Sequence, residues 1–433
     1  MRSANGEMDE LSTPMPRAVE FAETESISLA GARQGTAAAQ LTAQVAVLTG
    51  GGDRPYALGL AGALINKGVA FDFIGSDELD DPLLHRSPLV RFLNLRKAMR
   101  TKATPKRKAM RVLLYYWRLL FYAATAKPKL FHILWPNKFA WLDRTLILIY
   151  YRALGKRIVF TVHNVNAGRR DRNDNLFNRL TLKIQYALSD HLFVHTEQMK
   201  KGLQSEFNVA ASKVSVIPFG INSTVPKTAL TCLEAKQRLG LTQTDRVMLF
   251  FGNIAPYKGL EYLIEAMHYL VSKSADYRLI IAGQPKNCES YWQALQERLA
   301  TRELRSYVIK RIEYVPDADT EIYFKAADVL VLPYLRIFQS GVLFLGYNFG
   351  LPVIASDVGS LRDDILEGIT GFVCQPQNAV DLAKRIENYF SHQLYLELEQ
   401  RRRDIQEFAN EKYSWTKVGD ITWNVYRNLL RQD

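Results

Sequence analysis

The sequence predicts an α/β protein built from two Rossmann-like, doubly wound domains that face each other across a cleft. Three observations carry that expectation. A strand, a glycine turn, a helix and a second strand follow one another from Gln44 to Ile74. The same cycle restarts at Arg246. Between the two, Pro218–Lys227 is dense in turn formers and reads as the joint. A chain of 433 residues has room for two or three domains of roughly 100–200 residues each.

Residues 1–43 hold much Ala, Ser, Thr and Glu but no long apolar stretch, so they read as a flexible leader without a secretory signal. Gln44–Thr49 is a buried-type strand that runs straight into Gly50, Gly51 and Gly52. Tyr56–Leu64 then reads as a helix and Val69–Ile74 as a strand, the opening of a doubly wound unit. Apolar strands at Leu130–Leu134, Arg157–Val162 and His191–His195 continue this first domain, residues 44–222. In the second domain, residues 223–405, Arg246–Phe251 is a strand, Gly252–Gly259 a glycine-bounded loop and Leu260–Lys273 an amphipathic helix. Strands follow at Tyr277–Ala282, Val329–Leu332 and Pro352–Ala355, and residues 406–433 read as a terminal helix that packs back on the first domain. Ligands of open α/β sheets bind beyond the carboxyl ends of the strands, which directs attention to the loops that follow them.

Composition excludes several classes. The apolar fraction, 48%, is that of a globular chain rather than a disordered one. Three scattered cysteines, Cys232, Cys288 and Cys374, form neither a disulfide scaffold nor a zinc module and suit a reducing compartment. The net charge of +12 is concentrated: residues 82–142 carry fourteen basic side chains and no acid. The segment lacks zinc spacing, an RNP-like motif and a helix-turn-helix pattern, so nucleic acid is not the expected partner. The run Val112–Ala126, apolar and aromatic apart from Arg118, is shorter than the roughly 20 residues a membrane span needs. Two readings stay open: residues 86–138 contact an anionic membrane surface, or a core helix simply has basic flanks.

The candidate chemistry lies in the second half. The loop from Gly252 through Asn253 to Lys258 and Gly259 offers backbone N–H groups and an ammonium to an anion, although a loop lysine is usually just solvated. Ser340 suits a helix N-cap after the strand Val329–Leu332, and Gly341 lets a ligand approach the positive end of that helix. An ordinary capped helix explains the same residues. Gly350–Gly359 and Glu367–Val373 add a helix–strand–turn and a further turn and strand.

Taken in order and spacing, the Gly252–Gly259 loop, Ala282-Gly283, Ala327–Pro333, Gly350–Gly359 and Glu367–Gly371 resemble the C-terminal half of a family 4 glycosyltransferase of the GT-B type. The N-terminal half resembles it through Thr161–Val165, His195–Glu197 and Val216–Ile221. The resemblance implies transfer of a sugar from a nucleoside-diphosphate sugar, held by the second domain, to a saccharide or lipid-linked acceptor held by the first. It places Lys258 on the diphosphate, the amides of Ser340, Gly341 and Val342 at the phosphates, and Glu313, Tyr314 and Val315 beside the base. Gly51 and Gly52 match the glycine loop that reaches the phosphates across the cleft, and His163 matches the catalytic-site histidine near the transferred sugar. A strand-end histidine with a structural role is the competing reading of His163. The resemblance further implies retention of anomeric configuration, domain closure about a hinge near Pro218, and no metal or other cofactor. A cytoplasmic protein, peripheral at the inner membrane face, is the setting it suggests.

Two departures stand out. The paired glutamates of the family fall at Ile337 and Leu345, and the arginine after the loop glycine is replaced by Asn253. Arg336 and Gln339 are the nearby polar residues available as substitutes. A catalytically silent GT-B-like subunit that binds nucleotide or glycan is therefore the alternative reading. A nicotinamide dehydrogenase fails because Pro55 stands where its glycine fingerprint needs the last glycine, and no cofactor-lysine motif of a phosphorylase is present.

Overall fold

The computed structural model describes residues 43–431 other than 51–52, 99–103, 171–172, 223 and 287. The leader, residues 1–43, thus lies outside them except for its last residue, and Gly51 and Gly52 lie outside them altogether. Seven parallel strands form the first sheet: β1 (Val45–Leu48), β2 (Phe71–Gly75), β3 (Val90–Asn94), β4 (Leu130–Ile133), β5 (Arg157–Thr161), β6 (His191–Val194) and β7 (Val214–Val216). Their order is β3-β2-β1-β4-β5-β6-β7. The second sheet holds β8 (Arg246–Phe251), β9 (Tyr277–Ala282), β10 (Val308–Arg311), β11 (Val329–Leu332), β12 (Val353–Ser356) and β13 (Gly371–Cys374). Its order is β10-β9-β8-β11-β12-β13, so both sheets reverse direction beside their first strand. That reversal is the topological switch point of a doubly wound fold, and each sheet opens a crevice there.

Alternation along the first sheet explains its two layers. Ala46, Leu48, Phe131, Ile133, Ile158 and Phe160 face a core built with helices Pro105–Thr125, Leu146–Ala153 and Leu176–Leu188. Val45, Val47, Phe71, Phe73 and Val159 face the opposite core, with helices Arg54–Asn66 and Trp415–Leu430. The strand β3 was not anticipated inside the basic segment. It is a sheet edge, half-buried and without an apolar run, so periodicity does not reveal it. Its Arg91 forks onto the buried carboxylate of Asp72 (Nε–Oδ1 2.8 Å), which also accepts from Tyr122 Oη at 2.7 Å. One of the fourteen basic side chains is therefore committed to a buried partner.

The second sheet is enclosed in a single large core that runs from Ile221 to Tyr413. Helix Leu398–Lys412 stays on this domain: Arg402 donates to the carbonyls of Phe349 (3.2 Å) and Ala327 (2.6 Å). The crossing begins later than the sequence suggests, at Trp415 instead of residue 406, because Tyr413 and Ser414 break the helix. Beyond the break, Gly419 lets helix Trp415–Leu430 sit against Ala63, where an added Cβ would lie 3.2 Å from the Ala63 Cβ. Trp415 itself is wedged beside Gly59 and Gly220, and its Nε1 donates to the Ile221 carbonyl at 2.9 Å.

Candidate active site

Both switch points place a positive-φ glycine against the backbone across the crevice. Gly50 (φ 58°) follows β1, and a Cβ there would lie 2.2 Å from the Trp135 carbonyl oxygen that follows β4. Gly259 (φ 63°) ends the loop after β8, and its Cβ would lie 2.1 Å from the Pro333 carbonyl oxygen that follows β11. Only glycine fits either position without displacing backbone. These close approaches bring the strand-end loops together, and the cleft between the two sheets contains cavities lined by them.

One large cavity, about 440 Å³, is lined from the second domain by Asn253, Lys258, Tyr314, Val315, Gln339 and the Ser340–Val342 stretch. Asp53, Tyr56 and Phe219 close it from the other side. Lys258 is not a solvated loop lysine: it is 6% exposed, with its Nζ 5.3 Å from the ring centre of Tyr334. A Cβ on Gly252 would meet Lys258 Nζ at 3.1 Å and Val342 Cγ2 at 3.5 Å, so the ammonium and the first turn of helix Gly341–Asn348 border one bare patch of backbone. Ser340 occupies the N-cap position, but its hydroxyl makes no capping hydrogen bond. An ordinary side-chain cap is therefore not what this serine provides. Lys258 and the glycine-led start of helix Gly341–Asn348 face one cavity, an arrangement suited to an anion.

The other predicted residues divide. Glu313 is not part of the cavity wall; it is exposed and paired with Arg311 at 2.5 Å. Arg336 is not part of the Lys258 cavity wall and lines an adjoining space of about 270 Å³ that shares Ile337 with it, with Asn164, Asn166, Arg169, Gln198 and Glu206. Burying a second cation at the Lys258 site is thus not what this arginine does. Ile337 and Leu345 both line the large cavity, so apolar side chains stand where the resemblance implies glutamates.

His163 lines a third cavity of about 270 Å³ that shares Ile337 and Gln339 with the large one. Its ring stacks on Trp135 with centres 4.1 Å apart and planes within 3°. Nδ1 of His163 lies 3.1 Å from Nε2 of His195, whose Nδ1 is 3.3 Å from the Ile217 carbonyl oxygen. Burial, with the neighbouring imidazoles of His195 and His132, pushes the pKa of His163 well below its ordinary value, and burial holds His195 at about 4. Both rings are neutral near pH 7. Nε2 of His163 is buried and has no hydrogen-bond partner among the described residues. The same holds for Asn164 Oδ1, Gln185 Oε1, Arg144 Nε and Gln339 Oε1, all on residues that line this cavity. Buried polar atoms normally find partners, so a cluster of unpaired ones marks a place for a ligand rich in hydroxyl groups.

Trp135, Arg144 and Gln185 were missed from the sequence. Trp135 stands two residues beyond the end of β4 and was accessible to the strand-end rule; Arg144 and Gln185 sit on helices, where nothing local distinguishes them. No cluster of three or more His, Cys, Asp or Glu placed to hold a metal ion occurs among the described residues.

Residues 245–392 match the family described as Glycosyl transferases group 1, and residues 50–225 match Glycosyltransferase Family 4. An uncharacterized glycosyltransferase of Methanocaldococcus jannaschii, MJ1607, is 27% identical over 54% of this chain and 58% of its own length. A D-inositol 3-phosphate glycosyltransferase of Streptomyces bingchenggensis is 26% identical over 56% of this chain and 54% of its own. The chain spans little more than half the length of these curated relatives. Among solved structures, a sucrose-phosphate synthase of Thermosynechococcus elongatus superposes with a TM-score of 0.70 at 19% identity, covering 90% of this chain and 100% of that one. Anabaena Alr3699/HepE in complex with UDP superposes with a TM-score of 0.67 at 14% identity, covering 89% and 100%. At such identities the likeness is one of fold.

Proposed function

Because the chain belongs to the family 4 glycosyltransferases and has their GT-B architecture, we propose that it transfers a sugar from a nucleoside-diphosphate sugar to a saccharide or lipid-linked acceptor. One observation carries the reading: buried Lys258, Asn253 and the start of helix Gly341–Asn348 line one cavity, which meets the His163 cavity at Ile337 and Gln339. The diphosphate occupies the first cavity, with Tyr314 and Val315 beside the base. The transferred sugar lies at the junction, and the acceptor enters the second cavity. Cleaving the sugar–phosphate bond builds negative charge on the diphosphate, and a fixed ammonium with helix-end amides stabilises that charge without a metal ion. The reaction retains anomeric configuration, with the departing phosphate taking the acceptor proton. His163 offers its bare Nε2 to a sugar hydroxyl. The protein works on the cytoplasmic side.

The test is a thermal-shift screen with GDP, UDP and ADP, followed by a transfer assay with the matching nucleotide sugars. A shift with one nucleotide, lost in Lys258→Ala, together with release of that nucleotide from its sugar, is the expected outcome. Ile337 and Leu345 favour a second reading, a catalytically silent subunit that binds nucleotide or glycan. Nucleotide binding without transfer or donor hydrolysis across the panel would select it.

A further inference from the structure

Most exposed large apolar side chains among the described residues fall between Met110 and Leu180. On helix Pro105–Thr125, Met110, Leu113, Leu114, Trp117 and Phe121 are exposed. At 3.6 residues per turn they share an arc of roughly 100°. Tyr115, Tyr116, Leu119 and Tyr122 lie on the opposite side and are buried against the sheet. The helix is therefore apolar on both faces, and only one has a partner.

The exposed face continues beyond this helix. Tyr150 Oη donates to the Leu120 carbonyl at 3.2 Å and Tyr116 Oη bonds Asp143 at 3.1 Å, tying the helix to Ala140–Arg144 and Leu146–Ala153. Trp141, Leu146 and Ile149 are exposed there, and Leu176, Phe177 and Leu180 on the adjoining helix Leu176–Leu188. Leu176 is 87% exposed and Trp117 63%, values a soluble surface has no reason to favour. The surrounding charge is basic. Lys106 and Arg107 precede the apolar residues on the same helix and are exposed, as are Lys127, Lys138 and Lys183. The described acids nearby are neutralised or hidden: Asp143 is buried, Asp174 pairs with Arg179, and Asp190 with Arg152. Among the described residues, no helix is long and apolar enough to cross a membrane.

We propose that these four helices form one face that lies in the interface of an anionic bilayer, and that the acceptor is consequently lipid-linked. An aromatic and aliphatic surface with a basic border matches acyl chains beneath anionic headgroups. The same helices wall the His163 cavity through Arg144, Leu182, Gln185 and Tyr186. A carrier anchored in the bilayer is thereby positioned beside the cavity that receives its saccharide head. The acceptor half of this proposal rests on the transferase reading; the docking half stands independently of it.

The experiment is flotation of the full chain with vesicles of zwitterionic lipid alone or containing phosphatidylglycerol. It compares wild type with Leu113→Ser/Trp117→Ser and, separately, Leu176→Ser/Phe177→Ser. All four positions are exposed, so the nucleotide-induced thermal shift reports folding and donor binding in each variant. Binding that requires phosphatidylglycerol, weakens with salt and falls on the order of tenfold in both variants is the expected result. Transfer to a lipid-linked acceptor in vesicles falls with it, while donor hydrolysis in solution does not. Equal flotation of wild type and variants overturns the docking, as does sedimentation showing a dimer that only the substitutions dissociate. A lipid-linked acceptor used no better than its free saccharide overturns the acceptor assignment and leaves the transferase reading in place.

Discussion

Nε2 of His195 holds Nδ1 of His163 at 3.1 Å, and this contact decides which nitrogen of His163 is left without a proton. The Ile217 carbonyl, 3.3 Å from His195 Nδ1, can only accept, so His195 carries its proton on Nδ1. Its Nε2 is then an acceptor, and His163 Nδ1–H donates to it. Nε2 of His163 is left as a lone-pair acceptor without a partner among the described residues.

His195→Phe is expected to lower kcat by on the order of tenfold or more while nucleotide affinity stays unchanged. His195→Gln, which keeps an acceptor for Nδ1–H, should recover part of the loss. With His195 near 4 and His163 well below its ordinary value, neither imidazole titrates between pH 6 and 8. A kcat profile with a histidine-like step in that range would contradict the neutral pair.

Lys258→Ala should weaken nucleotide binding by about 1.5–3 kcal/mol, the scale of a charge-assisted contact. Arg336→Ala should leave it unchanged, since Arg336 lines a different cavity. Calorimetry with the nucleotide found in the screen checks both. Equal losses would mean that Arg336 swings into the diphosphate site.

Gly259→Ala forces a side chain onto φ 63° and places its Cβ against the Pro333 carbonyl oxygen. A cost on the order of 2 kcal/mol or more is expected in chemical denaturation. Gly240→Ala is the control for conformation alone, because its φ is 73° and nothing lies within 4 Å of an added Cβ. The difference between the two variants measures the close approach at the switch point.

His132 is buried between Tyr426 Oη (2.5 Å) and Thr161 Oγ1 (2.7 Å), and burial lowers its pKa to about 3. As pH falls through about 6.5, the unfolded chain takes up this proton and the folded chain does not. The stability associated with the neutral ring is complete above the unfolded pKa and lost as pH falls towards 3. The slope is at most about 1.4 kcal/mol per pH unit. Urea unfolding of wild type and His132→Asn between pH 6.5 and 4 should diverge by that slope. Parallel profiles would remove His132 from the acid response.

The backbone plan was largely legible. Apolar strands closed by glycine loops appear at Val45–Gly50 and Arg246–Gly252 because strand periodicity and positive-φ turns are written locally. β3 and β10 are edges of their sheets, and β7 closes the far side of the first. Each lacks the buried apolar run that identifies a central strand. Lys258 and His163 were legible as strand-end residues, whereas the Gln185 and Arg144 contributions depend on how their helices lean over β5.

By itself, then, the sequence determined the two doubly wound units, their strand-end loops and the location of the basic block, since each follows from patterns within a few turns of chain. Tertiary structure alone decided that Lys258 is buried, that Arg336 and Glu313 stand outside the cavity of Lys258, and that His195 sets the proton of His163. It also decided that the aromatic run at Tyr115–Tyr122 divides, one side packing the core while Trp117 and Phe121 face outward. These are distances between residues far apart in the chain. Local preference does not encode them, because they arise only when two sheets and their helices pack.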